Sequence, residues 1–491
     1  MKLKLSKYTL LLILIIAVGI FFRLYKSVIY FPYGHDNDLA GWVIKDILLN
    51  KHLRLVGQET STQGIYIGAL YYYLLIPFYL LTKMEPTGGI ILSAILGAFT
   101  IWSTYFVFKE IFKKKEIGLI GAAICAVSYA FVMNDRGNVP TTPVILWSVW
   151  FLYAVSSLLL KKNTKSFILL GVLIALTWHL NVTLVLLTIL IPAALIITRW
   201  KFDFRKVFWG LSAFFVTSIP FFAFELRHNF LQTRAVISSF LLNQGSELTL
   251  VEQAKRVLHI FSQIVTNIFW YPPQRLNFIL PLILLVALIY LAVKKKISKN
   301  LTGILILWSI LPVVFFSFYS KQVSEYYLNS VLIIALSVIS LSLYYILTSK
   351  YRVIGFLLLG LFAYINFYKF FTYQDSRQGY IWRRALVLDI KRSALEHGYP
   401  CVAVSYITNP GYELGYRYFF WLTGMHVNRP DSGAPVYTIV FPLKDIFPTH
   451  KNFGALGLIY PDYKRYTKGG VEKSCSGQNS NLTDPMFGYT E

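Results

Sequence analysis

The sequence predicts a polytopic α-helical membrane protein with about 11–13 transmembrane helices, followed by a small extracytoplasmic α/β domain. Three observations carry this prediction. Only 14% of the 491 residues are charged and 56% are hydrophobic, whereas a soluble domain carries about 25% charged residues. Apolar runs near the ~20 residues needed to cross hydrocarbon recur along residues 1–371. From residue 372 the runs stop, and strand-like and helix-like patterns alternate instead.

The apolar runs lie at 8–31, 64–83, 88–108, 117–133, 141–160, 166–180, 182–199, 207–224, 276–293, 301–319, 328–348 and 352–371. The first is longer than the core of a signal peptide and no small-residue cleavage site follows it, so it reads as an anchor. The pair 166–199 reads as a tight hairpin with Trp178-His179-Leu180-Asn181 at its tip.

The formal net charge is +24. On a soluble protein that would suggest nucleic acid. Here the basic residues fall in short loops, which assigns them to topology and to membrane lipids, with no nucleic-acid partner. Lys2, Lys4, Lys7, Lys113 to Lys115, Lys161 to Lys165, Lys201 to Lys206, Lys294 to Lys299 and Lys350 to Arg352 mark the cytoplasmic side. The outer loops are then 32–63, 134–140, 225–275 and 320–327, with the tail outside and the amino terminus inside. Three runs precede Lys113 where an even number of crossings is required. Either 64–83 or 88–108 does not cross fully, or the rule fails locally; of these we read 64–83 as a membrane-embedded or re-entrant element. The expected location is the plasma membrane.

In the tail, 378–397 reads as a helix, 402–407, 436–441 and 456–460 as strands, and 411–424 as a helical run. The last ~25 residues are rich in Gly, Ser and Asn and are expected to be mobile. Cys125 lies in an apolar run and reads as packing, while Cys401 and Cys475 are either bridged or both free. Neither an internal repeat nor a Gly-rich nucleotide loop is visible.

Polar residues concentrate in the outer loops. Gly34-His35-Asp36-Asn37-Asp38 precedes a stretch in which Leu39, Trp42, Val43 and Ile47 share one helical face. This is the pattern of an amphipathic helix on the membrane surface. Asp36 and Asp38 at its amino end are either helix caps or a general base held at the membrane surface. In Asn134-Asp135-Arg136-Gly137-Asn138-Val139-Pro140, Gly137 and Pro140 suit a loop that merely ends two helices. Arg136 suits a phosphate better. His179 stands alone; no second His or Cys takes a metal-ligand spacing, so zinc is not proposed. Glu225-Leu226-Arg227-His228 and Lys321-Gln322-Val323-Ser324-Glu325-Tyr326-Tyr327 add further cations, whose bland reading is snorkelling to headgroups. Acids and cations converging on one membrane face point to a lipid-phosphate substrate.

On these residues the chain resembles the GT-C superfamily of lipid-phosphate-sugar-dependent membrane glycosyltransferases. The similar branches are the protein O-mannosyltransferases and the aminoarabinose transferases of lipid A. The resemblance rests on His35-Asp36-Asn37-Asp38, then Lys45-Asp46-Ile47, then the stretch from Val56 through Glu59 to Gly68, leading into Tyr71-Tyr72-Tyr73. Arg136-Gly137-Asn138-Val139-Pro140, His179 and Phe224-Glu225-Leu226-Arg227-His228-Asn229-Phe230 continue it. It covers about residues 1–371, and the order of the motifs carries it. Two departures stand out. The acidic pair usually reads Asp-Glu or Asp-Gln, and here it is Asp36-Asn37. The Lys-Pro-Pro of the aminoarabinose transferases is replaced by Gln63-Gly64, which leaves Lys45, Arg136 and Arg227 to meet the phosphate.

The resemblance implies inverting transfer of a sugar from a polyprenyl-phosphate donor to a lipid, glycan or protein acceptor. Asp36 would be the base, with Asp38 orienting the acceptor or taking that role. The implied substrate- and phosphate-binding residues are Lys45, Glu59, Arg136, Asn138, His179, Glu225, Arg227, Lys321 and Tyr327. No cofactor is required, and the paired acids leave room for Mg or Mn. The alternative is a transporter or flippase for a lipid-linked or small anionic substrate. It is weakened by acids that sit in loops rather than at mid-membrane and by the lack of inverted repeats.

Overall fold

The structure, a computed structural model, describes residues 6–60, 64–160, 164–241, 249–269, 278–319, 323–409, 411–443 and 447–483. Among the described residues, each apolar run folds mostly as an apolar helix or a broken pair of helices, with the run 64–83 opening on a short strand. Lys7–Leu24, Gly88–Phe112, Lys299–Ser317, Glu325–Leu347 and Arg352–Thr372 are long and apolar enough to cross a membrane. Lys115–Val127 with Tyr129–Arg136, and Phe204–Thr217 with Ile219–Arg227, pass together but bend by 59°. The first bend falls at Ser128, whose backbone is extended and whose hydroxyl donates to the Ile268 carbonyl. At the second, Pro220 starts a new helix, where its missing N–H costs nothing.

Among the described residues five apolar helices are shorter. Among them Leu70–Leu81 has 12 residues, about 18 Å of rise against the ~30 Å of hydrocarbon. That length fits an embedded element better than a full crossing. The first helix ends at Leu24, earlier than the apolar run, because Lys26 takes a positive φ of 48°. The expected hairpin is also modified. Thr164–Leu180 packs most closely on Phe204–Thr217 rather than on its sequence neighbour. A methyl group on Gly171 would reach within 2.0 Å of the Gly210 carbonyl oxygen, so two glycines let the helices touch.

The outer helix His35–Leu49 forms where the sequence places it. It does not lie open on a membrane surface, however. Trp42 is buried, and Gly41 packs against the ring of Tyr418 from the C-terminal domain. Downstream, β1 (Val56–Glu59) and β2 (Tyr66–Gly68) form an antiparallel hairpin that leads into Leu70–Leu81.

The C-terminal domain contains β3 (Val402–Thr408), β4 (Val427–Asn428), β5 (Val436–Phe441), β6 (Lys451–Phe453) and β7 (Leu456–Ile459), in the order β4-β3-β5-β7-β6. β3 is parallel to β4 and β5, while β7 is antiparallel to β5 and β6. The helix Tyr380–Glu396 packs Leu386, Val387 and Ile390 into the same core as Tyr437, Ile439, Leu456 and Leu458. Of the helical run expected over 411–424, only Arg417–Leu422 is helix. The expectation of a mobile end is corrected for residues up to 483. Helices Lys468–Ser474 and Ser480–Thr483 form, and Cys475 is bridged to Cys401. Residues 484–491 lie outside the described residues.

This domain docks on the loop side of the membrane helices. The Tyr380 N–H donates to the Phe31 carbonyl at 3.1 Å. The Tyr380 hydroxyl and the Arg384 guanidinium both reach the Glu85 carboxylate, each at 2.6 Å.

Candidate active site

Two of the polar loops singled out in the sequence are joined. Asn37, in the first turn of His35–Leu49, uses its Oδ1 to accept from the Gly34 N–H at 3.2 Å. Its Nδ2 donates to the carbonyls of Asn138 (2.9 Å) and Gly137 (3.2 Å). Asn37 therefore ties the acidic motif to the loop 134–140. Asn138, which needs a positive φ of 51°, is buried there and accepts from the Tyr71 hydroxyl at 2.8 Å.

Asp36 precedes this tie and faces a cavity of about 760 Å³. Its Oδ1 accepts from Gln58 Nε2 at 3.4 Å. Gln58 belongs to β1, and both its N–H and its Oε1 bond the buried Tyr72 hydroxyl. The β1–β2 hairpin is pinned from the far side, where the Tyr66 N–H donates to Gln232 Oε1 at 2.8 Å. Glu59, at the end of β1, also lines the cavity, and its carboxylate accepts from the Gly64 N–H.

The wall of the cavity changes character across its extent. Asp36, Gln58, Glu59, Asn134, Asn181 and Asn329 line it with polar groups, while Val185, Leu186, Phe315, Phe316 and Tyr319 line it with apolar ones. Asn329 Nδ2 donates to Asn134 Oδ1 at 3.3 Å, and Asn181 Nδ2 to the Tyr326 carbonyl at 3.3 Å. Among the described lining residues the charged groups are Asp36 and Glu59; none is Lys, Arg or His. Such a wall offers amide and hydroxyl hydrogen bonds to a sugar and an apolar face to a chain.

The structure gathers Asp36, Glu59 and Tyr327 of the predicted set onto this wall. It places Asp38, Lys45, Arg136, Asn138, His179, Glu225 and Arg227 off this wall. Asp38 is fully buried and faces the C-terminal domain: its Oδ1 accepts from the Tyr33 hydroxyl (2.9 Å) and the Tyr418 N–H (3.1 Å). Burial pushes its pKa up to about 6, against the pull of those two bonds and of Arg383 and Arg417. Lys45 lies over the rings of Trp42 (4.1 Å) and Trp421 (5.6 Å), away from the cavity. Burial and the nearby Arg417 charge lower its pKa.

Arg136, read as a phosphate ligand, points back into the helices. It donates to the carbonyls of Phe22 and Tyr25 and covers the Phe370 ring at 5.0 Å. Glu225 caps the helix Leu231–Leu241, accepting from the N–H groups of Gln232 and Thr233, both at 3.0 Å. Arg227 is exposed and does not line the cavity. His179 is buried against Gly68, where an added Cβ would come within 2.0 Å of its Nδ1. Lys321 lies outside the described residues.

Sequence reasoning missed Gln58, Asn134, Asn181 and Asn329 as wall residues. Their only signal is that side-chain amides are costly beside apolar helices unless hydrogen-bonded or wetted. As for a divalent cation, no group of three or more His, Cys, Asp or Glu side chains converges among the described residues. These residues do not assemble such a ligand set, and no step below is routed through a metal.

The profile of the family described as dolichyl-phosphate-mannose-protein mannosyltransferase matches residues 68–224. ArnT from Cupriavidus metallidurans, solved bound to undecaprenyl phosphate, superposes with a TM-score of 0.56 at 12% identity; the match covers 91% of this chain and 97% of that one. The chain has the GT-C glycosyltransferase fold. A second GT-C structure, the archaeal oligosaccharyltransferase AglB from Archaeoglobus fulgidus in complex with an inhibitory peptide and a dolichol-phosphate, matches at 13% identity. Its TM-score is 0.50, with 88% of this chain and 69% of that chain covered. No curated protein gives a significant match. The matched segment 68–224 contains Asn134, Asn138 and His179 but stops short of Asp36, Glu59 and the C-terminal domain.

Proposed function

We propose that the protein moves a sugar from a polyprenyl-phosphate donor to an acceptor hydroxyl on the extracytoplasmic side, with inversion at the anomeric carbon. The observation that carries this reading is the cavity itself. It joins a carboxylate, Asp36, to an apolar wall between helices, and so has room for a sugar at one part and a lipid chain at the other. The fold shared with ArnT and AglB supports the lipid-linked donor.

In the proposed step the acceptor oxygen attacks the anomeric carbon as the bond to the phosphate oxygen breaks. Asp36 takes the acceptor proton, and the polyprenyl phosphate departs with the bonding electron pair. A carboxylate is a weak base for an alcohol, so its value lies in position as the proton leaves. Gln58, bonded to Asp36 Oδ1 and held by Tyr72, fixes that position. The side amides of Asn134, Asn181 and Asn329 offer donors and acceptors for the sugar and phosphate oxygens.

Two features support the extracytoplasmic side. Phe31 and Glu85, beside the outer ends of Lys7–Leu24 and Gly88–Phe112, contact Tyr380 and Arg384 of the C-terminal domain, while Lys7 and Lys113 stand at the other ends of those helices, as the positive-inside rule asks. The Cys401–Cys475 bridge suits an oxidising compartment.

The test is release of label from radiolabelled polyprenyl-phosphate sugars in proteoliposomes. Wild type should release label, and Asp36→Asn should release it about 10²–10⁴-fold more slowly. Equal rates would remove Asp36 from the chemistry. Transmembrane movement of intact donor without release would replace the enzyme by a transporter.

A further inference from the structure

Building on the transferase reading, we propose that Asp38 is a positioning residue: the buried carboxylate through which the C-terminal domain fixes the helix that carries Asp36. Successive residues of an α-helix are ~100° apart, so positions two apart face nearly opposite ways. One turn of His35–Leu49 thus presents Asp36 to the cavity and Asp38 to the C-terminal domain. Asp38 has no exposed surface and does not line the cavity, which removes it from contact with substrate.

What Asp38 holds is specific. Its Oδ1 receives the Tyr418 N–H, at the start of Arg417–Leu422, and the Tyr33 hydroxyl from the segment entering the outer helix. The same Tyr418 closes the joint in two further ways. Its ring lies where a Cβ on Gly41 would fall, at 2.8 Å, and its hydroxyl donates to the Met84 carbonyl at 2.7 Å. The backbone of Gly415, held at φ +94°, packs against Gly34, and Arg383 Nη1 fixes that loop by donating to the Leu414 carbonyl at 2.6 Å. Among the described residues Asp38 Oδ2 has no hydrogen-bond partner. A buried carboxylate with one oxygen unsatisfied is a poor choice for stability alone. Its use at this joint is geometric, since it accepts from two elements at once at a fixed point of the helix. The C-terminal domain is then a wall of the active site's support rather than an appendage.

The deciding comparison is Asp38→Asn against Asp38→Ala in the full-length chain, measured as kcat and donor KM in proteoliposomes. Asn keeps an oxygen where Oδ1 stands and can accept both bonds; Ala keeps neither. Asp38→Asn should retain at least about a third of kcat, and Asp38→Ala should lose ten-fold or more with donor KM unchanged, as displacement of a catalytic group by about 1 Å costs. Tyr33→Phe, which removes one of the two donors and leaves the chain intact, should lose about two- to five-fold in kcat. It also keeps the proposal open to refutation should the Ala variant fail to fold. Equal collapse of Asn and Ala variants would make Asp38 a proton carrier and overturn the positioning role. So would an Ala variant as active as wild type. Failure of wild type to transfer sugar from any donor would instead refute the transferase reading on which this one rests.

Discussion

Asp135→Ala should destabilise the membrane domain by about 3 kcal/mol, at the lower end of the ~3–5 kcal/mol for breaking a buried ion pair. Asp135 Oδ2 lies 2.7 Å from Arg23, and the two side chains are 6% and 1% exposed. Removing the carboxylate leaves a guanidinium in a medium of low dielectric. The loss falls at the low end because Arg23 keeps two acceptors, the carbonyls of Gly19 (3.0 Å) and Cys125 (3.4 Å). It cannot swing away, since Gly97 is packed against its Nε. The effect should reach the candidate site, because Asp135 sits on the half-helix Tyr129–Arg136, which delivers Asn134 to the cavity. The assay is built into the chain. Cys125 is the one cysteine outside the disulfide and is buried, so a thiol-reactive fluorophore reports unfolding. The double variant Arg23→Met/Asp135→Leu should recover most of the loss, because apolar replacement of a whole buried pair is close to neutral. A single variant within ~0.5 kcal/mol of wild type would refute the argument, since that is what an ordinary surface change costs.

Three further outcomes are expected. Asp38 titrates higher in the folded protein than in the unfolded chain, so its contribution favours the folded state at low pH and is lost as pH rises through about 6. Asp38→Asn should therefore flatten the dependence of unfolding free energy on pH between about 3 and 7, by up to roughly 3 kcal/mol. Gly68→Ala should cost about 1–3 kcal/mol by overpacking His179, and adding His179→Ala should restore part of it, a coupling measurable in a double-mutant cycle. Replacing Cys401 and Cys475 by Ser should lower stability by about 2–4 kcal/mol, because the bridge closes a loop of sequence separation 74. Chemical denaturation of the purified chain would show it.

The helices were legible because a membrane demands the same thing of every span: enough apolar residues in a row, with basic residues at one end. The conflict over 64–83 was visible as a counting problem, and the described helix there, Leu70–Leu81, is only 12 residues long. Candidate site residues were only partly legible. Asp36 and Asp38 are two positions apart in a helix and so cannot share a face, which the expectation of paired acids at one reaction centre overlooked. Arg136 misled because a cation at a helix end can turn inward to backbone carbonyls, and its partners near Phe22 lie more than a hundred residues away. Glu225 misled similarly, since a carboxylate that caps the next helix resembles one that awaits a ligand. The wall amides Asn134, Asn181 and Asn329 carry no charge and no periodicity, and three distant segments bring them together. In the tail, Gly, Ser and Asn suggested motion, but Thr467 caps a helix and the disulfide holds the segment in place.

The bond from the Tyr418 N–H to Asp38 spans 380 positions of sequence. A ribosome adding ~5–20 residues per second takes roughly 20–80 s to cover that distance. Throughout that interval the outer helix has been made but the domain that clamps it has not. The membrane portion is thus synthesised as an open scaffold, and the last part to be made is the one that sets Asp36 in place. A chain cut short between Asn329 and Tyr418 would carry every described wall residue of the cavity and still lack the joint that aims its carboxylate.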